Sequence, residues 1–143
     1  VLMTYALSWP LRAAIHACLA ADPAVTALIG DRLHDAPPQI DGPLAAEGVH
    51  AVIGDETVAD WSTKTDRGAE HRIAIAVYAA AEGFAAAKEA AGAICDALLA
   101  GPLAPSRGHV VGVHFLRAET AREEEGALRR VTLRFRVVVE DTA

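Results

Sequence analysis

The stretch "ALRRVTLRFRVVVED", residues 127–141, narrows most sharply what this chain can fold into. Val131, Leu133, Phe135, Val137 and Val139 alternate with Arg130, Thr132, Arg134 and Arg136. Successive side chains on a strand point to opposite faces, so the run predicts a sheet with one side against a core and one charged side toward water. "HVVGVHFLRAET" (109–120) reads as a second long strand, joined to the first by a charged turn in "AREEEG". Two earlier segments alternate in the same way. Val49, Ala51 and Ile53 share one face, as do Ile73, Ile75 and Val77, with a polar loop expected between them over residues 55–70.

Helical spacing marks the remaining apolar segments. Ser8 is the expected N-cap of a helix whose first turn holds Trp9 and Pro10 and whose buried stripe is Leu11, Ala14, Ile15, Cys18 and Leu19. Burying Leu11, Ile15 and Leu19 contributes roughly 1.5 to 3 kcal/mol each before entropy. "DPAVTALIGD" predicts a short helix capped by Asp22, begun at Pro23, anchored by Leu28 and Ile29 and stopped at Gly30. Residues 32–48, rich in proline, read as a short strand leading into an irregular loop. After Gly83, a third helix shares Phe84, Ala87, Ala91, Ile94, Cys95 and Leu98 on one face and ends at Gly101-Pro102. Helices before and between antiparallel strands indicate an α+β fold, with an antiparallel sheet of about four strands and two main helices on one face. At 143 residues the chain fits one domain spanning 1–143.

Charge and cysteine usage exclude several functions. A net charge of −6 argues against sequence-specific nucleic-acid binding, which needs an excess of Lys and Arg. Cys18 and Cys95 sit in apolar helical stripes, as small hydrophobes suited to a reducing compartment. Arg12 and His16 interrupt the apolar N-terminal run before it is long enough to cross a bilayer, so no membrane association is expected.

The stretch "ADWSTKTDRGAEH" is the densest collection of polar groups, yet its residues do not converge on a chemistry. Glu70 and His71 are neighbours on a strand and point to opposite faces. His16, His34, His50, His71, His109 and His114 are dispersed over different elements, and an odd separation places His109 and His114 on opposite faces, so no metal site is expected. Ser62 and Ser106 lie in no nucleophile elbow, and the glycines show no phosphate-binding spacing. The expectation is no catalytic residue and no cofactor; the rival is a small enzyme or ligand-binding domain using His71 or His50. Trp61, Lys64, Asp66 and Arg67 are expected to contact another protein. The stripe of Arg130, Arg134 and Arg136 needs acidic partners, with Glu119, Glu123, Glu124 and Glu125 near in sequence. A solvated stripe or pairing within the chain is slightly favoured over pairing between subunits, and Glu123, Glu124, Glu125, Arg130 and Arg134 join the candidate contact residues.

The order of these features resembles a known family. "LIGDR" at 28–32, "WSTK" at 61–64, the Gly-x-Glu-His segment at 68–71 and the helix after Gly83 are similar to those of the tail-completion or tail-terminator proteins of long-tailed phages. The branch resembled is that of alphaproteobacterial prophages and gene transfer agents, and the layout is similar to the terminator of phage lambda. The resemblance implies a structural, non-enzymatic virion protein, assembled in the bacterial cytoplasm and located at the head-proximal end of the tail. It implies a hexameric ring that caps the tail tube, stops its elongation and offers a surface for head–tail joining. The implied partners are further copies of the chain, the major tail tube protein and a head-completion or stopper protein. A head–tail stopper or connector of the neck is the alternative.

Overall fold

The computed structural model describes residues 4–35, 48–80, 84–123 and 128–141. Three helices, α1 (Ser8–Ala21), α2 (Pro23–Ile29) and α3 (Ala85–Ala100), accompany strands β1 (Leu33–His34), β2 (His50–Asp60), β3 (Gly68–Ala80), β4 (His109–Glu123) and β5 (Leu128–Glu140). The strands form one sheet in the order β1-β2-β3-β5-β4. The α+β expectation holds, with one strand more than the four anticipated: β1 pairs in parallel with β2 through Leu33↔Ala51 and His34↔Val52. The long strands all pair antiparallel.

The period-two pattern accounts for the centre of the sheet. β3 and β5 pair without interruption from Gly68↔Glu140 to Ala80↔Leu128, which sets Ile73, Ile75 and Val77 opposite Phe135, Leu133 and Val131. These six are buried and join Ala51 and Ile53 of β2 under the helices. α1 contributes Leu11, Ile15 and Leu19, α2 contributes Val25 and Ile29, and α3 contributes Ala87, Ala91, Ile94 and Leu98. Alanines at the α3 contact let its backbone lie close to the strands, so the thin core is filled by small side chains around Phe135. Among the described residues no helix covers the opposite sheet face.

Helix ends follow local chemistry, with one correction. The Asp22 carboxylate accepts from the backbone N–H groups of Ala24 and Val25, both at 3.0 Å, and Gly30 ends α2 at φ 57°. Ser8, however, is not the cap of α1. It is the first helical residue, Leu7 occupies the cap position without a side-chain hydrogen bond, and the Ser8 hydroxyl donates to Glu56 of β2 instead. A tertiary acceptor takes the place of the local one.

Two further expectations give way to strand irregularities. The loop expected over 55–70 spans only 61–67, because β2 continues to Asp60 and β3 begins at Gly68. A register shift between Ile53 and Glu56 carries β2 past Gly54-Asp55, where the alternation read from sequence stops. Arg12 of α1 supports the bulge, donating to the carbonyls of Gly54 (3.0 Å) and Ile53 and pairing with Asp35. In β4 a shift between Val110 and Gly112 adds a residue, so His109 pairs with Glu140 and His114 with Arg136. Glu140 and Arg136 share a face, so both histidines lie on that same face, contrary to the odd-separation rule.

Removing the largest core side chain tests this packing against the caps. Phe135→Ala is expected to cost ~3–5 kcal/mol in urea denaturation. Asp22→Ala, which removes only a cap, is expected to cost ~1 kcal/mol.

Candidate partner-contact surface

The turn at 61–67 is held by its own backbone and by the sheet. Trp61 N–H donates to the Gly68 carbonyl at 3.1 Å, and Thr63 N–H donates to the Asp66 carbonyl at 2.8 Å. The Thr63 hydroxyl accepts from Asp66 N–H at 3.0 Å. Asp60 accepts from Ser62 N–H at 3.0 Å, and its hydrogen bonds with Ser62 hold this exposed carboxyl below the usual range. Gly68 fits closely here: a Cβ there would lie 3.1 Å from both the Trp61 ring and the Val139 carbonyl oxygen. Trp61 therefore rests partly on its own strand and remains 38% exposed, while Lys64 and Asp66 stand exposed at the tip.

Arg67 has a different place. Its guanidinium lies 3.1 Å from the Asp141 carboxylate, and its carbonyl accepts from Asp141 N–H at 2.8 Å. Arg107 donates to both oxygens of the same carboxylate, at 3.0 and 2.9 Å. The Asp141 side chain is 1% exposed, so two cations on one buried carboxylate tie the base of the turn to the end of β5 and to the segment before β4. Neither Asp141 nor Arg107 was singled out from sequence, because 34 positions separate them and no local pattern links them.

On the helix-free face the arginine stripe finds its acids within the chain. Glu119 accepts from Arg134 at 3.0 Å and lies 3.2 Å from Arg117; Glu70 accepts from Arg136 at 2.8 Å and Arg72 at 2.9 Å. Burial pushes the Glu70 carboxyl up, but the hydrogen bonds from Arg72 and Arg136 outweigh it and leave it below the usual range. The Arg134 hydrogen bond and the Arg117 charge likewise lower Glu119. Arg130 lies on the same face, opposite Tyr78 and Ala121. Glu123 closes β4 opposite Leu128, and Glu124 and Glu125 lie outside the described residues, as does Gly83.

The expected contact residues thus separate into two groups. The 61–67 turn adjoins the Gly68↔Glu140 end of the sheet, while Glu123 adjoins the Ala80↔Leu128 end. Thirteen residues of β5 at 3.3 Å each put these ends roughly 40 Å apart.

Among the described residues the candidate pair Glu70 and His71 does not converge. Glu70 and His71 lie on opposite faces as expected, and His71 pairs instead with Glu56, Nδ1 to Oε2 at 3.4 Å. Glu56 also accepts from Ser8 and, at 3.4 Å, from the Tyr5 hydroxyl. His71 is 0% exposed and its Nε2 has no hydrogen-bond partner. Burial lowers its pKa more than Glu56 raises it, so the imidazole is neutral in the folded protein. β1–β2 pairing brings His34 and His50 together at 3.0 Å with stacked rings, a meeting that dispersal along the sequence does not suggest. Among the described residues no group of three or more His, Cys, Asp or Glu side chains is placed to hold a metal. Cys18 and Cys95 are both free, and burial raises both thiols. Among the described residues no single helix is long and apolar enough to cross a membrane.

The described sheet has one helical layer, acids and arginines paired within the chain, and polar groups at its two ends. The family model for tail completion protein gp17 matches residues 13–140. The chain belongs to that family. A chain in the solved virion of a native gene transfer agent particle is similar over 96% of this chain and 99% of its own length, at 46% identity and a TM-score of 0.85. Comparison with curated proteins gives no match. Membership in a tail completion family makes this a structural virion protein.

Two measurements test the site. Because the folded state resists protonating His71 whereas the unfolded chain does not, stability is expected to fall as pH drops below about 6.5. His71→Gln is expected to flatten the urea midpoint between about pH 6.5 and pH 5, above the range in which Glu70 and Glu119 titrate. Asp141→Asn is expected to speed hydrogen exchange at residues 61–67 while leaving the β3 and β5 amides protected.

Proposed function

We propose that this tail completion protein acts as a terminator: several copies close the head-proximal end of a tail tube as a ring, halt its elongation and present the surface on which the head is joined. The reading rests on family membership together with the separation of two unlike polar ends across a rigid sheet. A capping subunit must meet one partner below and another above, and loops on a firm scaffold suit that task.

In this reading the whole chain, 1–143, works as one domain. The 61–67 turn supplies Trp61, Lys64 and Asp66 to one axial partner, with Arg67 as their anchor. Glu123, Glu124 and Glu125 serve the other end, and Arg130 and Arg134 lie on the face between. The tail tube protein and a head-completion or stopper protein are the two partners, six copies is the expected ring, and assembly takes place in the bacterial cytoplasm. No cofactor and no catalytic step enters. The described geometry supports that absence of chemistry through the enclosed His71 and the outward, paired Glu70. The alternative within the structural class, a stopper or connector of the neck, uses the same two ends but places the protein against the portal instead of the tube.

Locating the protein by labelled-particle electron microscopy separates the two: density at the tube's last ring supports the terminator, and density only at the portal refutes it. Lys64→Glu with Asp66→Lys is expected to leave melting unchanged and to lower the fraction of tailed particles. Trp61→Ala is expected to cost ~2 kcal/mol of axial affinity, more than about tenfold. Normal tailing by all of these variants would remove the turn from the contact.

A further inference from the structure

β4 is the outer strand of the sheet, fifteen residues long, and residues 114–120 are exposed along its length. Natural edges are commonly blunted by lysine, proline or a bulge that turns the strand away. β4 has bulges, but the residues that its pairing register skips are Val111 and Leu116, apolar and 49% and 41% exposed. Phe115 stands beside Leu116 and is 43% exposed. Arg117, Glu119 and Arg122 charge the edge, yet Val111, Phe115 and Leu116 leave exposed apolar surface along it.

Among the described residues the opposite side of the sheet is also open beyond β1. β1 pairs with β2 only at Ala51 and Val52, so among the described residues no strand lies on the outer side of Asp55–Asp60, whose inner side pairs with β3. This stretch holds Asp55, Glu56 and Asp60 and no cation, with Glu56 engaged by Ser8, Tyr5 and His71, whereas β4 balances Arg117 and Arg122 with Glu119 and Glu123. Next to it, Tyr5 and Trp9 are the most exposed of the large apolar side chains, at 66% and 67%, with the Tyr5 hydroxyl on Glu56. Strand direction agrees with a match between the two edges. From β2 through β3 and β5 to β4 every step is antiparallel, so β2 and β4 run in opposite senses. A neighbour set in the same sense therefore brings its β2 antiparallel to β4, the more stable pairing per residue.

We propose that the outer edge of β4, flanked by Val111, Phe115 and Leu116, receives the Asp55–Asp60 stretch of β2, with Tyr5 and Trp9, from a second copy of this chain. The contact is heterologous: each copy offers β4 to one neighbour and β2 to the other, as a closed ring requires. This deepens the terminator reading and rests on it for the ring, while the edge-to-edge contact is a separate claim.

A photoreactive benzoylphenylalanine placed at Leu116, and separately at Val111, in particles assembled with the full chain reads the neighbour directly. The expected product is a crosslinked pair of copies in which the β4 peptide is joined to residues 54–60 or 5–9. A β4-to-β4 product, or crosslinks only to other virion proteins, overturns the proposal. Should the photoreactive chain fail to enter particles, Leu116→Glu is the second measurement. It sets a carboxylate against the acidic β2 edge and is expected to melt as the parent does yet to lose incorporation, with Asp55→Lys in the same chain restoring it. Incorporation of Leu116→Glu at the parent level overturns the edge contact. Absence of the parent protein itself from the tube's end refutes the terminator reading independently of either result.

Discussion

The uninterrupted pairing of β3 with β5 is the constraint on which everything else depends. Thirteen residues of each strand stay in register from end to end, so one alternation of side chains governs both faces over the full length. A slip by one residue would exchange Ile73, Ile75, Leu133 and Phe135 with Ala74, Ala76, Arg134 and Arg136, and would send guanidinium groups into the core. Burial of Phe135 and its neighbours against α3 excludes that slip. The helical layer, the paired open face and the position of each end follow from it.

Electrostatics on the open face are settled in pairs of arginines. Glu70 sits between Arg72 and Arg136, and Glu119 between Arg117 and Arg134, so each carboxylate neutralises one charge and leaves one over. The chain as a whole carries a net charge of −6, and this face runs against that balance. Ala74 and Val138 are buried on this face although none of the described helices covers it. Partly exposed ion pairs of this kind add little to stability individually, and their service is to orient the charges.

Much of the fold was legible in the sequence because its signals are local and periodic. The alternation of Val131 through Val139 and the cap at Asp22 need nothing beyond their own segments. The 55–70 region reads as one loop because Gly54-Asp55 breaks the alternation, and a sequence pattern does not distinguish a bulge from a strand's end. Arg12, more than forty positions away, stabilises that bulge. The His71–Glu56–Ser8 contact was invisible for the same reason: two elements must pack before the three groups meet, and serine beside a helix start reads as a cap when only its neighbours are considered. Candidate contact residues divided similarly. The polar density of the 61–67 turn was legible, while the fastening of Arg67 to Asp141 and Arg107 was not.

By itself, the sequence determined the alternation of apolar and charged side chains, the helix limits at Asp22, Gly30 and Gly101, and the family to which the chain belongs, because each is written in residues that are neighbours or recur at a fixed period. Only the tertiary structure decided which acids meet which arginines, that His71 is sealed from water, and that β2 and β4 have open edges among the described residues. Those outcomes depend on groups brought together from distant positions by the packing of a sheet against helices, and on bulges whose single extra residue shifts every later side chain to the other face.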